Sequence, residues 1–181
     1  MKILGSLVDA RHRLDLVAGL SDGMLTALTL GAGHMLPAST PVSPGLALRV
    51  ACAAALSGAF VFFVAHYAER RGELVEAERQ LNLTSHGQLA TSRLGRAVMR
   101  EAAIQAAIAS GCTFCGALLP LVVGTWIQQP RWLGAVVALA ALCLLGYFLA
   151  RTVYGSPFRW MTGLVLGGVA LTLMGAWLDI A

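Results

Sequence analysis

The stretch Leu14–Leu36, LDLVAGLSDGMLTALTLGAGHML, decides how this chain is read. It is long and apolar enough to cross a bilayer as a helix, yet it carries Asp22 near its middle. On a helix Asp15, Gly19, Asp22, Thr26, Thr29 and Gly33 recur at alternating steps of four and three, which puts them on one stripe amid Leu, Val, Ala and Met. An ionised carboxylate at mid-depth costs roughly 3 kcal/mol on insertion scales, so Asp22 is expected to face protein, water or a cation. An intramembrane acid marks a functional site by default. The alternative is packing, because small residues on one face let helices approach and a protonated Asp can bond a neighbour. The two readings are compatible: two copies of this helix could meet through Gly19 and Gly23 and leave Asp22 on a shared wet path.

Composition places the rest of the chain around that helix. Its 181 residues are 57% hydrophobic and only 12% charged, with a mean hydropathy of +0.73, whereas soluble domains are about 25% charged. A polytopic membrane protein is expected. The net charge of +4 does not point to nucleic acid, because the basic residues lie between apolar segments and not on an aromatic platform. The opening MKILGSLVDARHRLDL has too short an apolar run before Arg11 and Arg13 for a cleavable signal. It reads as an amphipathic helix on the membrane surface, with Ile3, Leu4, Leu7 and Val8 toward lipid. Cys52, Cys112, Cys115 and Cys143 all fall in apolar segments. The Cys112/Cys115 pair lacks the strand-to-helix context of a redox motif and reads as small packing residues.

The expected fold class is therefore all-α, one membrane domain over 1–181 with five spans of about the 20 residues a bilayer demands. They are drawn at 14–36, 46–67, 102–127, 133–150 and 160–180, with a charged helical hairpin at 68–100. Pro37 closes the first span. Glu69, Glu73 and Glu76 at helical spacing carry the second helix out of the membrane, NLTSHG turns the chain, and 88–100 returns it. Pro120 is expected to kink the third span, and QQPR and TVYGSP make the remaining turns. Lys2 and the arginines at 11, 13, 70, 71, 79, 93, 96, 100, 151 and 159 lie on one side of these spans and only Arg49 and Arg131 on the other. This positive-inside bias puts the N-terminus and the hairpin in the cytoplasm and the C-terminus outside. Trp126, Trp132, Trp160 and Trp177 fit an interfacial belt.

With these segments in order, the chain resembles the vacuolar iron transporter family of five-span carriers for ferrous iron and manganese. The resemblance covers nearly all of the membrane part. It is carried by LDLVAGLSDGMLTALTLGAG with its Asp22–Gly23 pair, by GAFVFFVAHYAERR, which is similar to the family's segment ending in Gly-Glu-Tyr, by GALLPL at 116–121, and by SPFRWMTGLVLGGVALTLMG. There are departures. Phe62 stands where the family typically has Met, and His66 where it has the Glu before the tyrosine, here Tyr67. The hairpin is far shorter than the family's glutamate-rich cytoplasmic metal-binding domain, so only Glu69, Glu73 and Glu76 could form a reduced collecting face. A solvated helix face is the plainer account of them.

The resemblance implies a homodimer with a path between two first helices, and export of iron or manganese from the cytoplasm. The expected metal residues are Asp22, His66, Glu69 and Glu73, the metal being transported and not a resident cofactor. Carboxylate with imidazole suits first-row divalent ions and poorly suits calcium. Both groups also carry protons, so metal and proton can compete at the same atoms, which is the minimal physics of antiport. The counter-reading of His66 is an interfacial ring stacked among Phe62, Phe63 and Tyr67. For His34, at the far end of the stripe, it is an exposed loop-proximal side chain. No nucleophile–base pair or hydrolase motif argues for an enzyme. The expected partners are lipid, a second copy, a divalent metal ion and protons, in what reads as a bacterial inner membrane. The rival function is a non-transporting membrane subunit or scaffold derived from such a carrier.

Overall fold

The computed structural model describes residues 10–35, 43–80, 93–126, 133–152 and 155–177. Five helices follow one another: α1 (Ala10–Met35), α2 (Pro44–Gln80), α3 (Arg93–Trp126), α4 (Leu133–Thr152) and α5 (Pro157–Trp177). There is no strand among the described residues. Helices α2, α3 and α5, and residues 133–151 of α4, are each long and apolar enough to cross a membrane. The described part of α1, expected as the first of five spans at 14–36, is not one of these four; Asp15, Ser21, Asp22 and its threonines lower its hydropathy. The surface-helix reading of the first residues, the turns at NLTSHG and QQPR, His34 and Trp132 lie outside the described residues or side chains.

Local chemistry sets several of the helix ends. Ser43 accepts the Leu46 N–H on its Oγ at 3.1 Å, and Pro44, which has no N–H to satisfy, takes the first helical position of α2. Pro157 starts α5 in the same way. Past α4, the Gly155 N–H returns to the Ala150 carbonyl at 3.0 Å, satisfying an orphan acceptor. The helix α2 runs unbroken from the apolar segment into the charged stretch at 68–80, and α3 runs from the charged return segment through Pro120 to Trp126.

Packing is inverted relative to a water-soluble bundle. The interior is dominated by small side chains, among them Ala27, Ala51, Ala109 and Ala117, all at 0% exposure, while Leu56 (74%), Phe60 (70%) and Leu166 (68%) point outward. Large apolar side chains facing out and small ones at helix contacts are what a lipid environment selects. These observations identify an integral membrane protein.

The helix α1 sits at the junction of two cores. On one side Ala27 packs with Ala47, Ala51 and Ala54 of α2 and with Ala117 and Leu121 of α3. On the other, Met24 and Leu28 pack with Ala138, Leu142 and Leu145 of α4, and Leu164 of α5 closes over them. The closest approach is between α1 and α3. A Cβ on Gly19 or Gly23 would overlap the backbone at Ala109 or Thr113, and one on Gly116 would stand 2.5 Å from the Leu20 carbonyl oxygen. Gly19 and Gly23 therefore serve a contact within the chain, not one between copies, because α3 already occupies the groove they open. Of the Cys112/Cys115 pair expected to pack, Cys115 is instead exposed and Cys112 half-buried; Cys52 is exposed and Cys143 half-buried, and all four are free thiols.

Candidate functional site

Two features of α1 carry chemistry, at different heights along the helix. Asp22 is exposed, on the same face as Leu14 and Ala18, which are exposed as well. No described residue pairs with it. Gly19 and Gly23, about 60° and 100° around the helix from Asp22, are buried against α3. The polar stripe is thus divided between a packed edge and a free face. Thr29 belongs to the stripe, but its hydroxyl donates to the Leu25 carbonyl at 2.7 Å and so satisfies itself within the helix.

The second feature is a cleft of about 250 Å³ lined by Leu14 and Asp15 of α1, His66, Glu69 and Arg70 of α2, and Gln105 of α3. Here the structure brings Asp15 to His66, with Nε2 of the imidazole 3.3 Å from Asp15 Oδ1. The approach is misaligned for a hydrogen bond, and Nε2 is buried without a hydrogen-bond partner. Gln105, 4% exposed, has its Oε1 in the same condition. The imidazole also stacks on Phe62, one turn back, with ring centroids 6.4 Å apart, while Phe63 stacks on Tyr67 at 6.0 Å. The stacked-ring reading and the polar reading of His66 therefore coexist: one face of the ring meets Phe62 and the nitrogen edge meets Asp15.

Arg70 forms a two-pronged ion pair with Glu101 of α3, at 2.9 and 3.1 Å. This pair ties α2 to α3 at the rim of the cleft and directs the guanidinium at a carboxylate of its own. Being largely exposed at Glu101, it adds only a fraction of a kcal/mol to about 1 kcal/mol of stability.

Of the expected metal residues, His66 and Glu69 share the cleft. Glu73 is exposed farther along α2, and Asp22 lies about two turns up α1 from the Asp15 level on the outward face. Among the described residues no three His, Cys, Asp or Glu side chains come together closely enough to hold a metal ion. The carboxylate beside His66 is Asp15, not Asp22. Sequence reasoning placed Asp15 on the stripe without giving it a role, and it passed over Gln105. The signal for Gln105 was present as a lone amide in the apolar run AAIQAAIASG, where an unmet polar group is costly.

Set against known proteins, the chain matches no family model, no curated protein and no solved structure.

Proposed function

We propose that this protein is a five-span transporter, its N-terminus cytoplasmic and its C-terminus outside, that exports a divalent transition metal, ferrous iron or manganese, in exchange for protons. One observation carries the reading: Asp22 is exposed halfway along a helix that four other helices surround on its remaining sides. A carboxylate left facing hydrocarbon costs roughly 3 kcal/mol or more, so the face bearing Asp22 is covered or wet in the membrane. A second copy related by a twofold axis covers it most simply, placing two Asp22 carboxylates across a shared path. Paired carboxylates attract a divalent cation and exchange it for protons. The sequence resemblance points to the same family of carriers, and the positive-inside bias supplies the orientation. The membrane is that of a cell whose cytoplasm lies on the side of Arg70 and Arg100.

The test is uptake by the purified protein in proteoliposomes, comparing manganese, ferrous iron and zinc with and without a pH gradient. Metal-dependent flux that the gradient drives supports the reading, and its absence in correctly inserted protein removes it. The second reading, a non-transporting membrane subunit, is favoured by the lack of a three-carboxylate or histidine cluster within the described part of one chain. It expects no flux for any metal.

A further inference from the structure

The cleft at the end of α1 holds more chemistry than the transport reading uses. Three of its atoms are acceptors or potential acceptors: Nε2 of His66, the Asp15 carboxylate 3.3 Å away, and Oε1 of Gln105. Two of them, on His66 and Gln105, are buried and receive no hydrogen bond, and Gln105 as a whole is 4% exposed. Acceptors buried beside a carboxylate without a partner are costly unless a donor or a cation satisfies them. A proton on the imidazole does not do so alone, because the Nε2 to Oδ1 approach is off-line and leaves the amide oxygen unmet. A cation in the cleft they line is a partner that an imidazole nitrogen, a carboxylate and an amide oxygen can all serve.

The charges around the cleft permit it. Glu69 stands at the rim, adding negative charge. Among the described residues lining the cleft, the positive group is Arg70, which is held by Glu101 through both prongs of its guanidinium, and this offsets its repulsion of a cation. The donor set is one imidazole nitrogen, one carboxylate and one amide oxygen. Nitrogen with oxygen favours first-row transition ions over magnesium and calcium, which take oxygen ligands alone. Among the described residues no cluster of three His, Cys, Asp or Glu forms here, so a third ligand has to come from the amide of Gln105, which lines the same cleft.

We propose that Asp15, His66 and Gln105, with Glu69 at the rim, form a binding site for a divalent first-row transition-metal ion, separate from Asp22 and about two turns from it along α1. As a loading station that hands metal to Asp22 it rests on the transport reading; as a binding site it stands without it. The helices supply one ligand each from α1, α2 and α3, so an ion here also ties the three together.

Mn2+ titration of the purified full-length protein, followed by electron paramagnetic resonance, tests the site. One nitrogen-coordinated ion per chain is expected, displaced by Zn2+ but not by a similar concentration of Mg2+, with spin-echo modulation from one directly bound nitrogen. His66→Ala removes that modulation and weakens binding by more than about tenfold. Gln105→Ala weakens it less, and Gln105→Glu, which replaces an amide with a carboxylate of the same size, tightens it. Glu101→Gln frees Arg70 toward the cleft and also weakens binding. Modulation that survives His66→Ala, absence of saturable binding, or an affinity unmoved by Gln105→Glu overturns the site, and the last holds even if the histidine variant fails to fold. Bound Mn2+ with nitrogen modulation in a protein that carries no flux sinks the transport reading and keeps the site. Flux without nitrogen-bound Mn2+ does the reverse.

Discussion

The two sides of α1 differ in what they ask of the same helix. Toward α3 it presents Gly19 and Gly23, with no room for a methyl group, and toward α4 it presents Met24 and Leu28, buried to 4% and 0%. On the free face it presents Leu14, Ala18 and Asp22, which touch none of the buried cores. The packed sides explain why the helix sits where it does, through close backbone approach and dispersion in a setting where water supplies no drive between helices. The free face lies outside both apolar cores and carries Asp22, a carboxylate that pairs with no described residue. A helix can therefore be anchored on one side and left unpacked on the other, and the unpacked side is where function is to be sought.

The contrast can be attacked from its packed side first, where the largest effect is expected. Gly23→Leu forces α1 away from Thr113 and Ala117 of α3, a change that overpacking puts at about 3 kcal/mol or more. Thermal denaturation in detergent, read by size-exclusion of the surviving species, should show little folded protein; a midpoint equal to wild type would mean that α1 and α3 do not meet as described. Ala18→Cys, on the free face, should leave that midpoint unchanged. In a background without native cysteines, mild oxidation in the membrane should link two copies through it, whereas a cysteine in place of Met24, buried against α4, should link none. Cross-linking absent at Ala18 would leave the free face to lipid or to another partner. Glu101→Gln, outside both faces, should cost less than about 1 kcal/mol in the same denaturation assay, as expected of an exposed ion pair. The smallest effect belongs to cysteines at Gly45 and Gly72, where an added Cβ meets nothing within 4 Å. Folding should be unaffected, with Gly72→Cys labelled only from the cytoplasm and Gly45→Cys only from outside; reversed labelling would invert the direction of transport.

Much of the architecture was legible in the sequence because it depends on composition over long windows. The fourth helix starts at Leu133 as expected and ends two residues past Ala150, and the run of Glu69, Glu73 and Glu76 marks how α2 continues beyond its apolar part. The division of the α1 stripe was not legible. Asp15, Gly19 and Asp22 fall within about 60° of one another on a helix, and periodicity carries no mark of where α3 stops and the free face begins. For that reason Gly19 and Gly23 read equally well as a contact between copies, until Ala109 and Thr113 are seen to occupy their groove. The Asp15–His66 contact was hidden for a related cause. It joins residues about fifty positions apart, and which carboxylate of α1 reaches His66 depends on the axial offset of two helices, a property of packing that neither segment encodes alone.

Under the transport reading we propose, the exposed carboxylate of α1 is the group on which metal flux depends. Paired uptake assays on wild type and Asp22→Asn in proteoliposomes test this most directly, because the amide keeps the size of the side chain and its hydrogen bonding while removing the charge. With protein inserted to the same extent and unchanged in thermal midpoint, Asp22→Asn should lose gradient-driven manganese flux by about two orders of magnitude or more, the effect of removing roughly 3 kcal/mol of cation stabilisation. Flux equal to that of wild type in the folded variant would contradict the claim and return Asp22 to a face that only touches lipid or a neighbour.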